Sequence, residues 1–237
     1  EGSITEVKIE GMTYVCVPQQ KIAKLTKGLA DAKEVKIPSK IYTGGVSYHV
    51  VGIERSAFYG FNTLEKVVIP DSVKTIGMEA FKNCSKLNTV ELPFALVSIG
   101  EKAFENCSKL TLVVCASETP ATIFENTFPV HAITIGVPQG SKDAYMNAPY
   151  WGNENYSFFD SMSSISEGDE TEEVPGIYQV LTDDNNMATS VAIVDDVDVI
   201  GDFAIPETVV HNGVEYPVTA IAPSTFEKNV GLTSVTI

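Results

Sequence analysis

The sequence predicts a repeat solenoid, α/β in composition but leaning to mostly β. It would have a parallel sheet, short helical turns and β-hairpin caps at its N-terminal end. Three observations carry this. Apolar motifs recur every 23 residues through the first half of the chain. Strand-like runs end at prolines or turn residues after two inward positions. The pattern then restarts, because residues 200–237 align with 32–69 at a constant offset of 168. A fixed period of 20 to 50 residues marks stacked units that cannot bury their apolar faces alone.

Residues 4–30 come before the repeats. Ile4 to Ile9 alternates, Glu10-Gly11 turns, and Met12 to Val17 reads as the second arm of a hairpin, closed by Pro18-Gln19-Gln20. Such a hairpin would cover the open edge of the first rung. That rung is Ala32 to Pro38, with Val35 and Ile37 inward. Nine extra residues follow it, which fit a hairpin insertion around Thr43-Gly44-Gly45.

Three regular units come next. Ile53-Glu-Arg-Ser-Ala-Phe58, Ile76-Gly-Met-Glu-Ala-Phe81 and Ile99-Gly-Glu-Lys-Ala-Phe104 superpose, and each leads to a leucine at 64, 87 or 110. The strand-like runs end at Ile69, Leu92 and Cys115. In Leu64-x-x-Val67-x-Ile69 the period of two turns Val67 and Ile69 inward and Lys66 and Val68 outward. The Ile-Gly-x-x-Ala-Phe segment has apolar groups at i, i+4 and i+5, which suits one short helical turn.

A fifth rung, Val130 to Ile135, takes Val130 for its leucine. Then Val137 to Met146 carries Ser141 as the N-cap of a short helix. Tyr145, Tyr150 and Trp151 read as the packing of a terminal cap, with a sugar-stacking platform as the alternative. Residues 161–175 are acidic and Ser/Gly-rich, which reads as a flexible linker between a capped array (1–160) and a truncated second array (176–237). In the second array Tyr178 to Leu181 and Met187 to Val194 form a hairpin around Asp183 to Asn186.

The motif Ile-Gly-x-x-Ala-Phe-x-x-Cys-x-x-Leu-x-x-Val-x-Leu-Pro over 76–93 resembles the BspA-type (Treponema pallidum-type) leucine-rich repeats of bacterial surface proteins. The block from Val137 to Trp151 resembles the C-terminal element of the same family. The resemblance implies a non-catalytic protein, secreted or displayed on the cell surface, that serves interaction or adhesion. It transfers no ligand.

Charge excludes one class of partner. The net charge is −15. Residues 1–109 hold 14 Lys and Arg against 12 Asp and Glu, and residues 110–237 hold 2 against 19. Such acidity argues against nucleic acid. No run of eighteen apolar residues is present to span a membrane. The chain opens at Glu1 without methionine, so a processed or cut form is expected, and continuation beyond Ile237 is expected.

Candidate chemistry is thin. Cys84 and Cys107 share a repeat position and read as two stacked buried thiols, with a disulfide as the alternative. Asp183 to Asn186 and Asp195 to Asp198 could ligate calcium, but Asp and Asn are also ordinary turn residues. No metal site or other cofactor is therefore expected. A Cys–His hydrolase using Cys107 or Cys115 with His131 is the enzymatic alternative, set against no familiar nucleophile motif. Asn83-Cys-Ser, Asn106-Cys-Ser and Asn155-Tyr-Ser match the glycosylation sequon; the first two are expected at a buried position.

The outward positions of the sheet are the candidate binding face: Lys66, Val68, Thr89, Glu91, Leu112, Val114, Ala132 and Thr134. Leu112 and Val114 are expected as an exposed apolar patch on it. The expected partner is a host or bacterial surface protein or glycan. A passive spacer is the alternative. Self-association through residues 221–237, over a core open beneath Phe226 and Val235, is also expected.

Overall fold

The computed structural model describes residues 4–163, 177–182, 188–195, 201–205, 207–211, 214–221 and 232–236. The chain falls into two compact units, Glu1–Ile135 with Asp143–Phe158, and Gly136–Lys142 with Phe159–Ile237.

In the first unit, β1 (Thr5–Ile9) and β2 (Met12–Val17) form the expected antiparallel hairpin, with Glu10 and Gly11 at positive φ in its turn. A short 3-10 turn, Pro18–Gln20, leads to β3 (Ile22–Lys27), a third strand that the sequence reading did not single out. The next strands are β4 (Glu34–Lys36), β5 (Lys40–Thr43) and β6 (Val46–Ile53). Gly44 and Gly45 join β5 to β6 with φ of 56° and 76°, the doubly left-handed turn that matches strand twist.

The repeats follow: β7 (Lys66–Val68), β8 (Thr75–Ile76), β9 (Thr89–Leu92), β10 (Ser98–Ile99) and β11 (Leu112–Cys115). They make two parallel ladders. One runs β4, β7, β9, β11, with Lys66 in register with Thr89 and Thr89 with Leu112. The other runs β3, β6, β8, β10. The short helical turns expected at Ile-Gly-x-x-Ala-Phe are not there. Ile53, Ile76 and Ile99 pair with one another as strand residues, and Gly77 N–H donates to Ile53 O at 2.7 Å. Glu79 and Asn83 have φ of 56° and 64°, which no right-handed helix accommodates. These turns form a third ladder instead: Phe58 N–H donates to Ala80 O, and Phe81 N–H to Ala103 O.

The ladders enclose a column of rings. Phe58, Phe81, Phe104 and Phe128 stack at centroid spacings of 4.8, 5.2 and 5.3 Å, within 10° of parallel. Phe58, Phe81 and Phe104 have no exposed surface. Each buried ring of this size contributes roughly 1.5–3 kcal/mol by leaving water. Trp151 and Tyr145 close the column; both are buried, Trp151 Nε1 donates to Ala121 O and Tyr145 Oη to Ser117 O. Their burial corrects the sugar-platform alternative and leaves only Tyr150 exposed.

β12 (Ile133–Pro138) and β13 (Tyr156–Ser163) each have residues in both units, and α1 (Lys142–Met146) begins directly after Ser141. The fifth rung departs from expectation. Val130 is 92% exposed and fills no leucine position. Five residues lie between Phe104 and Leu110, but only Pro129 lies between Phe128 and Val130, so the chain has no turn to swing Val130 inward.

The second unit contains β14 (Ile177–Thr182), β15 (Ala188–Asp195), β16 (Gly201–Ala204), β17 (Thr208–His211), β18 (Val214–Ile221) and β19 (Leu232–Thr236). Residues 161–163, expected in the linker, continue β13 and pair with Gln179, Tyr178 and Ile177. Phe159 and Ser161 are both buried, so the alternation of a half-buried strand runs on to that point. The remaining linker residues and the acidic turn 183–186 lie outside the described residues, as does Phe226.

The second unit repeats the first register for register. Val35 pairs with Val67, and Phe203 with Val235, both shifted by 168. Ile41 pairs with Tyr48, and Val209 with Tyr216. Even the irregularity between Ala23 and Lys24 recurs between Val191 and Ala192. Tyr14 and Tyr178 fill the same place and both are buried, which pushes each phenol up to about 12.

Candidate functional site

The outward face of the β7–β9–β11 ladder is built by the period of two. Val67, Val90 and Val113 turn inward and are buried, so Lys66, Thr89 and Leu112 stand on the other side in one row. These three are half-buried, as are Val68 and Glu91; Ala132 and Thr134 are exposed. Ala132 lies before the start of β12, off the strand itself. Thr134 joins the ladder, donating its N–H to Thr111 O at 2.8 Å.

One expected member fails. Val114 is only 4% exposed, so Leu112 and Val114 do not make an exposed pair. β11 is an interior strand of the ladder, and Val114 stands in register with Glu91. A short branched side chain on an interior strand has a strand on each side of it, and here the longer Glu91 stands beside it.

A ladder of charges runs along the turns. Arg55 and Lys82 both reach Glu79, at 3.5 and 3.2 Å, and Lys82 reaches Glu105 at 2.6 Å. The Lys82 hydrogen bond holds the Glu79 carboxyl below its usual range, and the bond to Glu105 holds the Lys82 ammonium above its own. Asn106 Nδ2 donates to Asn83 Oδ1 at 2.9 Å. The two sequon asparagines are therefore not buried: Asn83 is half-buried and Asn106 exposed. Their residue type follows from backbone geometry. With Gly60 they share a left-handed position, with φ of 74°, 64° and 62°, which glycine and asparagine adopt most readily.

The thiols are poor nucleophiles. All four cysteines are free and buried. Cys84 Sγ donates to Phe58 O and Cys107 Sγ to Phe81 O, each at 3.1 Å. Burial pushes Cys84 up to about 12 and raises Cys107 further; it also pushes Cys115 up to about 12 despite a hydrogen bond with Tyr145. A thiol so placed stays protonated at neutral pH. His131 Nε2 lies 2.5 Å from Leu110 O, so its ring is committed to the backbone. Among the described residues no group of three His, Cys, Asp or Glu could hold a metal ion, and no helix is long and apolar enough to cross a membrane.

A small hollow opens in the first unit where the corner after β9 meets the terminal cap. Leu92, Leu96, Cys115, Ala121, Tyr145 and Trp151 line it. Phe94 and Val97 flank Leu96 along the chain and are 65% and 61% exposed. They escaped the sequence reading. The signal was present, because the same places one repeat earlier hold Asp71 and Lys74.

Residues 47–147 match the model of the BspA type leucine rich repeat region, in six copies. Among solved structures, the chain is similar to a leucine-rich repeat protein from Bacteroides capillosus ATCC 29799, with 27% identity and a TM-score of 0.49, over 56% of this chain and 97% of that one. It is similar to a leucine rich cell surface protein from Faecalibacterium prausnitzii A2-165, with 17% identity and a TM-score of 0.44, over 100% and 77% of the two chains. It is also similar to a T. pallidum Leucine Rich Repeat protein, with 22% identity and a TM-score of 0.41, over 98% and 71%. No curated protein matches the chain.

Proposed function

We propose that this chain, a BspA-type leucine-rich-repeat protein over residues 47–147, is a non-catalytic interaction module of the bacterial cell surface or its surroundings. It would bind a surface protein or glycan through the outward face of the β7–β9–β11 ladder. The observation that supports this reading is the row Lys66, Thr89 and Leu112. Three adjacent strands hold chemically different groups in fixed register on one face, each strand tied to its neighbour by backbone hydrogen bonds. Rigid backbone placement lowers the entropy lost on binding. The buried, protonated thiols and the committed His131 give no support to the hydrolase alternative.

Glycan arrays and pull-downs from cell-surface extracts identify the ligand. The Leu112→Asp variant then tests the face, since half-buried Leu112 is its main apolar group now that Val114 is excluded. Loss of binding with an unchanged thermal midpoint is the expected result; unchanged binding places the site elsewhere. A second reading, a passive spacer, draws on the duplication at offset 168, because tandem copies lengthen a stalk. Saturable binding of any one ligand defeats it. Self-association through 221–237 belongs to the same proposal, as Ile221 and Val235 are 39% and 36% exposed. Sedimentation that stays monomeric at high concentration removes it.

A further inference from the structure

The first strand of the first unit has a counterpart in the second. β1 pairs with β2 so that Val7 stands opposite Tyr14, and the end of β13 pairs with β14 so that Met162 stands opposite Tyr178. The two tyrosines fill the same place, so β1 and the end of β13 are equivalent strands. Their outer sides differ. Within the second unit β12 is the hydrogen-bonded neighbour on the outer side of β13, and a Cβ built on Gly136 would lie 3.0 Å from Ser161 Cβ. Ser161 is buried there. β1 is the end strand of its sheet among the described residues, and Glu6, which stands where Ser161 does, is exposed. The same edge therefore takes a further strand in one repeat and faces water in the other.

The backbone of β1 shows which groups face outward. Glu10 and Gly11, at φ of 49° and 83°, form a two-residue turn closed by Ile9 and Met12. Bonded pairs alternate along an antiparallel hairpin, so Ile9, Val7 and Thr5 bond towards β2, while Lys8 and Glu6 turn their N–H and C=O outward. Both side chains are exposed, and among the described residues neither has an ion-pair partner.

Charges on an edge strand usually keep other strands away. Here they are opposite in sign and two residues apart, which makes the strand complementary to itself in one antiparallel register. With Val7 opposite Val7 of the partner subunit, each Glu6 meets a Lys8, and the outward backbone groups of 6 and 8 bond in pairs. Sliding the strands by two residues sets Glu6 against Glu6 or Lys8 against Lys8, and like charges directly opposite are destabilising. Sliding by one sets outward backbone groups against groups already turned towards β2. On the other face Val7 and Ile9 are half-buried, opposite the buried Tyr14 and Met12. A second β1 laid alongside covers more of both.

We propose that β1 is a self-pairing edge: two copies of this chain join their β1 strands antiparallel about a two-fold axis at Val7, with Glu6 of each opposite Lys8 of the other. Such an interface is isologous and closes at two copies. It is one strand long, so the dimer is weak and depends on concentration. It is separate from the β7–β9–β11 face and from residues 221–237, and stands whether or not either of them binds anything.

Sedimentation equilibrium of the full chain at increasing concentration should show monomer and dimer only. Glu6→Lys and Lys8→Glu each set two like-charged pairs across the axis, and each should raise the dimer dissociation constant about tenfold or more. The Glu6→Lys, Lys8→Glu double variant exchanges the charges and restores both pairs, so it should dimerise within about threefold of the parent. The exchanged side chains are exposed, so the thermal midpoints of the dilute variants should match the parent. Hydrogen exchange of the parent should slow at the Glu6 and Lys8 amides as concentration rises, with 221–237 unchanged. The proposal is overturned if the chain stays monomeric at every concentration, or if the single variants dimerise like the parent. It is equally overturned if the double variant fails to regain the dimer, or if the protection that grows with concentration lies at 221–237 instead of β1.

Discussion

Replacing Gly100 by alanine separates the stacking of rungs from ordinary glycine effects. At an unstrained, open site, Gly→Ala stabilises a protein by about 0.4–1 kcal/mol, because the unfolded chain loses freedom. Gly100 is neither in a left-handed conformation nor in open space. A Cβ built there lies 2.4 Å from Met78 N, 2.8 Å from Gly77 C and 2.8 Å from Met78 Cα. Ordinary Cβ contacts lie at 3.4 Å or more, so the rungs must part by about 1 Å. The atoms that must yield are backbone, and Gly100 N–H is already bonded to Ile76 O at 2.8 Å. Overpacking of this kind costs about 1–3 kcal/mol. With no side chain able to swing aside, the upper end applies, and the unfolded-state gain leaves a net loss of about 2 kcal/mol. With a urea m-value of about 2 kcal/mol/M, the midpoint falls by about 1 M. Urea titration followed by the emission of Trp151, which belongs to the same unit, measures it. An unchanged or raised midpoint refutes the close-approach reasoning. Gly77→Ala, at 2.6 Å from Arg55 N, should behave alike.

The aromatic column predicts that Phe104→Ala is the more damaging change, at about 3–5 kcal/mol, because Phe104 is fully buried between two parallel rings. Chemical denaturation checks it, and a loss under 1 kcal/mol contradicts the packing. The left-handed turn position predicts that Gly60→Asn costs under about 0.5 kcal/mol while Gly60→Val costs about 1–2 kcal/mol, since Asn83 and Asn106 already occupy that backbone conformation. Thermal midpoints of the two variants decide it. The buried thiols predict alkaline instability. Their folded values are raised above the ordinary thiol value, so their contribution is complete below about pH 9 and is lost as pH rises towards about 12. Above pH 9 each buried thiol steepens the loss by about 1.4 kcal/mol per pH unit. Cys84→Ala should show a shallower decline between pH 9 and 11 than the parent, and an identical slope contradicts the assignment.

The sequence alone determined the inward half of this protein. The 23-residue period means that each of Phe81, Cys84, Leu87 and Val90 meets a copy of itself on the next rung. Its environment is therefore written in the repeat, and all four are buried as that logic requires. The offset of 168 worked the same way, because matching residues impose matching strand register. Tertiary structure decided the backbone path of the turns and the fate of outward side chains. Ile76 reads equally as the start of a helical turn or as a strand residue, since two residues carry too little periodicity to separate them. Only its pairing with Ile53 and Ile99 settles it. Val114 is buried on an interior strand beside Glu91, 23 residues away in the chain, while Val130 is bare because its connection from Phe128 is cut short. A repeat specifies the contacts that its copies share. Where the copies differ, exposure is set by what the fold brings alongside, and no local pattern contains that.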